Sequence, residues 1–346
     1  MSIPIHTFKL DLGMKLMTEL SKIDRFDATW ASIEKREGAS LQQLKSIATV
    51  RSVGASTRIE GSKLTDDEVA VLIEKLSISA LEERDQQEVI GYFEALDTIA
   101  ENHESIGITE SEIKYLHKIL MRHGEKDAWH RGNYKQVSNA VEASFVDGTR
   151  QVVFRTADPG LVTQDAMIRL FDWYRTDQET IPLIKAALFV YEFLSIHPFQ
   201  DGNGRLSRLL GSLLLLKNGY SWIQYVSFEH EIESRKSEYY RVLMQTQLNR
   251  PGENVTDWLT FFISCLINIQ DQLLLKLEEH KTDQPISPRD KRILFFIQNH
   301  PGCGSGEIAK KLDLVLATVK KSLSKMLLMG LITKEGRGKS TGYFVV

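Results

Sequence analysis

Within residues 197–208 (HPFQDGNGRLSR) the chain places a titratable imidazole, a hard-oxygen carboxylate, a Gly-Asn-Gly turn and two arginines. Groups of these types in this order suit nucleotide chemistry. His197 follows an apolar helical stretch and precedes Pro198. It is read as titrating near neutrality and able to take a proton from an incoming hydroxyl. Asp201 offers one hard oxygen, the way Mg²⁺ is commonly held when substrate phosphates and waters complete its shell, and it equally suits a helix N-cap. Gly202 and Gly204 permit a close backbone approach that a Cβ forbids, leaving amides free to face phosphate oxygens, and Asn203 adds a side-chain amide donor. The spacing of Arg205 and Arg208 predicts one helix face and a shared bidentate grip on outer phosphates.

These residues need elements to hold them. Residues 184–196 (IKAALFVYEFLSI) have helical periodicity, and an apolar, leucine-rich helix resumes at 206–216. The chemistry therefore sits in a break between two buried helices. Amides at the start of the second helix lack intrahelical acceptors and carry the positive end of its dipole, which favours an anion there. Further helical patterns span 41–59, 65–77, 82–102, 109–122, 163–176, 205–217, 234–248 and 255–279, with capping boxes at Thr65/Glu68 and Thr109/Glu112. The expected fold is mainly α. From 141 to 154 the helical period is lost, and 145–154 reads as two short strands around an Asp147-Gly148 turn. A hairpin alone is unstable in water, so it must lie against the body or await a partner strand.

A chain of 346 residues, 42% hydrophobic and 26% charged, is globular and long enough for more than one domain. Cys265 and Cys303 make no disulfide framework, which fits a reducing compartment. The first residues show no cationic stretch leading into an apolar core, and Lys217 and Asn268 interrupt the longest apolar runs. The expectation is a cytoplasmic protein without a membrane partner. Residues 286–346 hold eleven Lys or Arg against four Asp or Glu, although the whole chain has a formal charge of −3. A polar seam at 278–285, ending in Pro285, separates this basic tail from an acidic body. The tail reads helix 291–299, Gly-rich turn, helix 305–312, turn, helix 318–329, then a β-ribbon. That order resembles a winged helix-turn-helix. Lys320, Lys321 and Lys325 on its third helix, with Lys334, Arg337 and Lys339 in the wing, suit phosphate contacts in DNA. A protein-adaptor or homodimer role stays open, because the third helix has few side chains for base readout.

The loop also matches, without departure, the pattern His-Pro-Phe-x-Asp/Glu-Gly-Asn-Gly-Arg-x-x-Arg. In this it resembles the Fic family, whose members transfer AMP from ATP onto hydroxyl side chains of proteins. The resemblance implies an N-terminal helical region over 1–105 and a Fic-type helical core with a β-hairpin flap over 106–280, beside the separately read winged helix domain over 286–346. It further implies ATP as substrate and Mg²⁺ as cofactor. His197 would be the base, Phe199 the anchor of the loop and Asp201 the metal ligand. Gly202, Asn203 and Gly204 would hold the inner phosphates, and Arg205 and Arg208 the outer ones. Glycine at 204, where the family's kinase-like branch has lysine, favours nucleotidyl transfer. The hairpin, with Val152 and Val153, would align a target segment by strand pairing. Tyr240 and Gln247 would lie near adenine, although relatives carry asparagine at the second position.

Residues 56–61 (STRIEG) match the family's inhibitory-helix pattern Ser/Thr-x-x-x-Glu-Gly/Asn through Ser56, Glu60 and Gly61. Gly61 is a natural helix terminator, leaving Glu60 projecting from the last turn. The resemblance pairs Glu60 with Arg208, where a tethered carboxylate competes with a phosphate for one guanidinium. It also leaves room for reversal, since some relatives use this glutamate to position water for removing AMP. The expectation is an autoinhibited protein adenylyltransferase acting on a protein target, itself included. The alternative is a DNA-binding regulator whose core only senses nucleotide; the presence of both His197 and Asp201 favours the enzyme.

Overall fold

The computed structural model describes residues 8–75, 81, 83–144, 150–282, 287–328, 330–336 and 341–345, with the backbone alone for 38–40, 140–144, 150–155, 279–282, 288 and 328. It divides into two compact units, Met1–Leu274 and Leu275–Val346. The helices of the first are α1 (Met14–Ile59), α2 (Asp66–Glu74), α3 (Arg84–Asn102), α4 (Glu110–Leu120), α5 (Leu161–Thr176), α6 (Pro182–Ile196), α7 (Asn203–Lys217), α8 (Phe228–Ser234) and α9 (Lys236–Gln247). A tenth helix, α10 (Thr256–Thr282), follows them, and a hairpin of β1 (Ala140–Ser144) and β2 (Arg150–Arg155) interrupts the series after α4.

The core of the first unit is the pair α6 and α7, which pack on each other. From Leu183 to Ile196 only Lys185 escapes burial, and in α7 all but Gly204 and Lys217 are buried. Helices buried on nearly every side belong at the centre of a domain, and Pro182 starts α6 where a missing N–H costs nothing. Around them α3 contacts α1, α4 and α7, while α5 covers α6.

Three expectations change. The first helix begins at Met14 rather than near 41, and continues through a break at Glu37 (φ −102°, ψ 15°). Leu16, Leu20, Ile23, Trp30, Leu41 and Leu44 form its buried stripe. Asp27 and Glu34 occupy slots in that stripe and disguise its period. The helix expected over 234–248 is two, α8 and α9, parted by Arg235 (φ −114°, ψ 26°). In the hairpin the first strand lies upstream of 145: Ala140 pairs with Arg155 and Ser144 with Arg150. A bulge leaves Val153 opposite no residue of β1, between the pairs Val141–Phe154 and Glu142–Val152. Residues 145–149, with the Asp147-Gly148 turn, lie outside the described residues.

The expectation that no apolar run reaches membrane-span length is also corrected. Thr256–Glu278 within α10 is long and apolar enough by length and composition. In this fold Trp258, Leu259, Phe262, Ile263, Leu266 and Ile269 of that helix are core residues.

The second unit contains α11 (Pro288–Asn299), α12 (Ser305–Leu312), α13 (Leu316–Leu328), β3 (Ile332–Glu335) and β4 (Gly342–Val345). The strands pair antiparallel, Ile332 with Val345. Ile293, Ile297, Ile308, Val319, Leu323, Met326 and Ile332 close one core. Lys320 and Lys321 are exposed on α13. Lys325, whose side chain is 39% exposed, also lies 3.9 Å from Asp290 of α11. Arg337 and Lys339 lie outside the described residues.

Candidate functional site

α6 stops at Ile196 because His197 turns into the left-handed region (φ 53°, ψ 60°) while its N–H still donates to Phe193 O at 2.9 Å. Phe199 is fully buried and stacks on the His117 ring at 3.9 Å. The loop is then closed by Asn203: its Oδ1 accepts from Phe199 N–H at 2.9 Å and its Nδ2 donates to Phe199 O at 2.8 Å. The Asn203 amide thus holds the turn, while the residue also lines the cavity described below. Gly202 has φ 78° and caps α7; a Cβ there would press on Met121 Sδ at 3.1 Å. Past it, the first amides of α7 have no acceptor within the helix.

His117 of α4 pins the loop from below. Its Nδ1 accepts from Gly132 N–H at 2.9 Å, so the proton is on Nε2, which donates to Asp201 O at 3.0 Å. Burial lowers its pKa to about 4 and keeps the ring neutral. The Asp201 carboxylate accepts from Gly202 N–H at 2.6 Å, and its Oδ2 meets Arg84 Nη2 at 3.1 Å and Arg205 Nη2 at 3.5 Å. Burial pushes its pKa up, but Arg205 and these other partners outweigh burial and hold it below the usual value. Among the described residues no three His, Cys, Asp or Glu side chains gather to hold a metal unaided. One exposed-edge carboxylate does suit Mg²⁺ when phosphate oxygens and waters supply the remaining ligands.

The two arginines diverge, correcting the shared grip expected of them. Arg205 turns toward α3, with Glu88 Oε2 at 3.3 Å from its Nη1, in a small recess shared with Arg84 and Met121. Arg208 turns toward α1: its Nε donates to Ser56 Oγ at 2.8 Å, and its Nη2 to Ser56 O at 2.9 Å and Glu60 Oε1 at 2.7 Å. Residues three apart subtend about 60° on a helix, enough to send long side chains to opposite neighbours. Arg208 is 2% exposed; burial works against its charge, but Glu60 more than compensates.

Glu60 caps α1, and Gly61 at φ 115° turns the chain away. The end of α1 is clamped. Arg58 donates to both Glu233 oxygens, at 2.7 and 3.0 Å, and to Leu64 O at 3.0 Å, and Lys236 Nζ donates to Ile59 O at 2.7 Å. Glu60 Oε1 also lies so close to Gly204 that a Cβ there would collide with it.

Glu60, His197, Asp201, Gly202, Asn203, Gly204 and Arg208 line one cavity of about 220 Å³, together with Asn139, Tyr239 and Tyr240. Burial brings the His197 pKa down to about 4, helped by the nearby Lys135 ammonium, so the ring is neutral and not titrating near neutrality as expected. Tyr240 reaches the cavity, and so does Tyr239, the other member of the Tyr-Tyr pair. Gln247 does not: it is buried, and its Nε2 donates to Ser195 Oγ at 2.9 Å behind α6. Val152 and Val153 are placed by backbone alone, on a strand beside α9. The supporting residues His117, Lys135, Asn139, Arg58 and Arg84 were missed. A histidine among Ile113, Leu116 and Leu120 on the buried side of α4 was a readable signal; the others had none nearby.

Residues 107–215 match the Fic/DOC family and residues 286–333 a winged helix-turn-helix DNA-binding family. The chain is 24% identical over 288 residues to the protein adenylyltransferase Fic of Drosophila mojavensis, covering 81% of this chain and 53% of that one. Against the Drosophila melanogaster protein of the same name it is 27% identical over 250 residues, covering 71% and 46%. It thus spans about half the length of these curated relatives. A Fic family protein from Desulfovibrio desulfuricans G20 shares the fold with a TM-score of 0.65 at 22% identity, over 97% of both chains. A Fic domain containing signaling protein from Bacteroides thetaiotaomicron VPI-5482 shares it at 0.60 and 24% identity, over 74% of this chain and 97% of that one.

Proposed function

We propose that this chain, which carries a Fic domain followed by a winged helix-turn-helix domain, transfers AMP from ATP to a hydroxyl side chain of a protein and is restrained by its own Glu60. The observation that carries this reading is the meeting, in one cavity, of a neutral imidazole, a carboxylate, a helix N-terminus and a buried guanidinium capped by a carboxylate. His197 takes the proton of the target hydroxyl, whose oxygen forms a bond to the α-phosphorus as the bond to pyrophosphate breaks. The amides at the head of α7 face the charge that develops there. Asp201 would hold Mg²⁺, which when bound neutralises phosphate charge. Arg208 would hold the terminal phosphate once Glu60 leaves it. Tyr239 and Tyr240 offer aromatic surface for the base.

The target aligns along the hairpin by backbone pairing, and the chain's own hydroxyls are candidate acceptors. Two buried cysteines outside any disulfide agree with a reducing, cytoplasmic setting. Incubating wild-type, Glu60→Gly and His197→Ala proteins with ATP labelled at the α-phosphate tests the reading. Label should enter protein with Glu60→Gly and vanish when His197→Ala is added to it. Label retained in the double variant would remove His197 as the base. A second reading, a DNA-bound regulator, is favoured by the winged helix match and the exposed Lys320 and Lys321, and it is compatible with the first.

A further inference from the structure

Lys135, in the segment between α4 and β1, is 1% exposed, and the Asp158 charge favours its ammonium. Its Nζ donates to Asn139 Oδ1 at 2.9 Å, Thr156 Oγ1 at 2.7 Å and Ile196 O at 3.2 Å. Asn139 immediately precedes β1, Thr156 immediately follows β2, and Ile196 immediately precedes His197. Further bonds run the same way. Lys135 N–H donates to Pro198 O at 2.8 Å, Asn139 Nδ2 to Phe199 O at 2.9 Å, and Thr156 Oγ1 to Asn139 O at 2.9 Å. The carbonyls of Ile196, Pro198 and Phe199 are therefore tied to the feet of the hairpin through the Lys135 ammonium, the Lys135 backbone N–H and the Asn139 amide respectively.

Burial works against the Lys135 charge and the Asp158 carboxylate offsets this only in part, whereas apolar packing would join a hairpin to a loop without that cost. We propose that Lys135 is a positioning residue that holds the His197 loop and the base of the β1–β2 hairpin in one fixed register. This rests on the reading of His197 as the base and the hairpin as the seat of the target. A hydroxyl carried by a strand on the hairpin then reaches the imidazole without search, the kind of alignment that governs turnover more than nucleotide affinity.

The ammonium has a second effect. Around His197 stand Glu60 from α1, Asp201 in the loop, Arg208 from α7 and Tyr239 and Tyr240 from α9, with Lys135 on the hairpin side. Lys135 opposes protonation of the imidazole, whereas Glu60 and Asp201 favour it. Burial lowers the Lys135 pKa itself to about 8, so it stays largely charged at neutral pH.

The test uses the full chain in the Glu60→Gly background, with Lys135→Met removing the ammonium's bonds and charge but not the backbone bond to Pro198 O, and Thr156→Val removing a bond partner only. Transfer should fall about tenfold or more in Lys135→Met with the KM for ATP within about twofold of its parent. The acid limb of its pH profile should move to higher pH. Thr156→Val should lower transfer with the acid limb in place. Two readouts do not need activity: the His197 imidazole titration by NMR, which should rise in Lys135→Met alone, and hydrogen exchange of the 140–155 amides, which should quicken in both variants. If the parent transfers nothing, the adenylyl-transfer reading fails, and these two readouts still decide the role of Lys135. A folded Lys135→Met protein with unchanged transfer, titration and exchange overturns the proposal. If that variant does not fold, unchanged transfer and hairpin exchange in Thr156→Val overturn it instead.

Discussion

Glu60 meets Arg208 through a single oxygen, and Arg208 Nη1 has no hydrogen-bond partner among the described residues, so the guanidinium retains capacity for a stronger acceptor. A phosphate with three oxygens can replace the carboxylate and use that nitrogen as well. Glu60→Gly should therefore raise adenylyl transfer by an order of magnitude or more, each ~1.4 kcal/mol of released restraint giving about tenfold. Arg208→Ala should cancel the gain, as measured by labelled AMP incorporation across ATP concentrations. Asp201 gives a parallel case. Arg84 and Arg205 share its Oδ2, so Arg84→Ala should free the carboxylate and reduce the Mg²⁺ concentration for half-maximal transfer several-fold. An unchanged Mg²⁺ titration would assign Arg84 to α3 packing alone. The chemistry of 197–208 was legible because its groups are neighbours in sequence. The divergence of Arg205 and Arg208, the closure of the turn by Asn203 and the retreat of Gln247 were not, because each depends on which helix stands opposite.

Two elements, α4 and the turn after α6, bury neutral imidazoles, His117 and His197, with pKa values lowered to about 4. In the unfolded chain each binds a proton below about pH 6.5, whereas in the fold it does not until about pH 4. Stability is thus lost as pH falls from 6.5 toward 4, with a slope of about 1.4 kcal/mol per pH unit for each ring. Denaturant unfolding at stepped pH should show it, and His117→Asn should halve the slope in that window. Glu233, its pKa held near 2 despite burial by the partners His230 and Arg58, extends the loss to lower pH. Element boundaries were legible where apolar residues dominate, as in α6 and the leucine-rich part of α7. They failed in α1, where Asp27 and Glu34 sit in the stripe, and in the hairpin, where β1 draws on Ala140 and Glu142, weak strand formers held by pairing with β2.

At the scale of the whole molecule, charge is divided between its parts: eleven basic against four acidic residues over 286–346, within a chain of formal charge −3. Lys320 and Lys321 are exposed, while Lys325 is partly exposed and near Asp290. Full-length protein should retard duplex DNA at low salt, and reversing Lys320 and Lys321 should reduce the salt slope by about 0.9 for each phosphate that is no longer neutralised. No retardation at low salt would leave this unit an assembly role. The break at Glu37 and the clamped end of α1 have a mechanical consequence. From Glu37 to Ile59 the helix is a rod about 33 Å long. A tilt of about 5° about the break carries its far end roughly 3 Å, as much as the 2.7 Å bond between Glu60 and Arg208 spans. Such a swing would have to break the bonds of Arg58 to Glu233, Lys236 to Ile59 O and Arg208 to Ser56 together, so the seat of the Glu60 carboxylate is set by the whole end of the rod and not by its own bond alone.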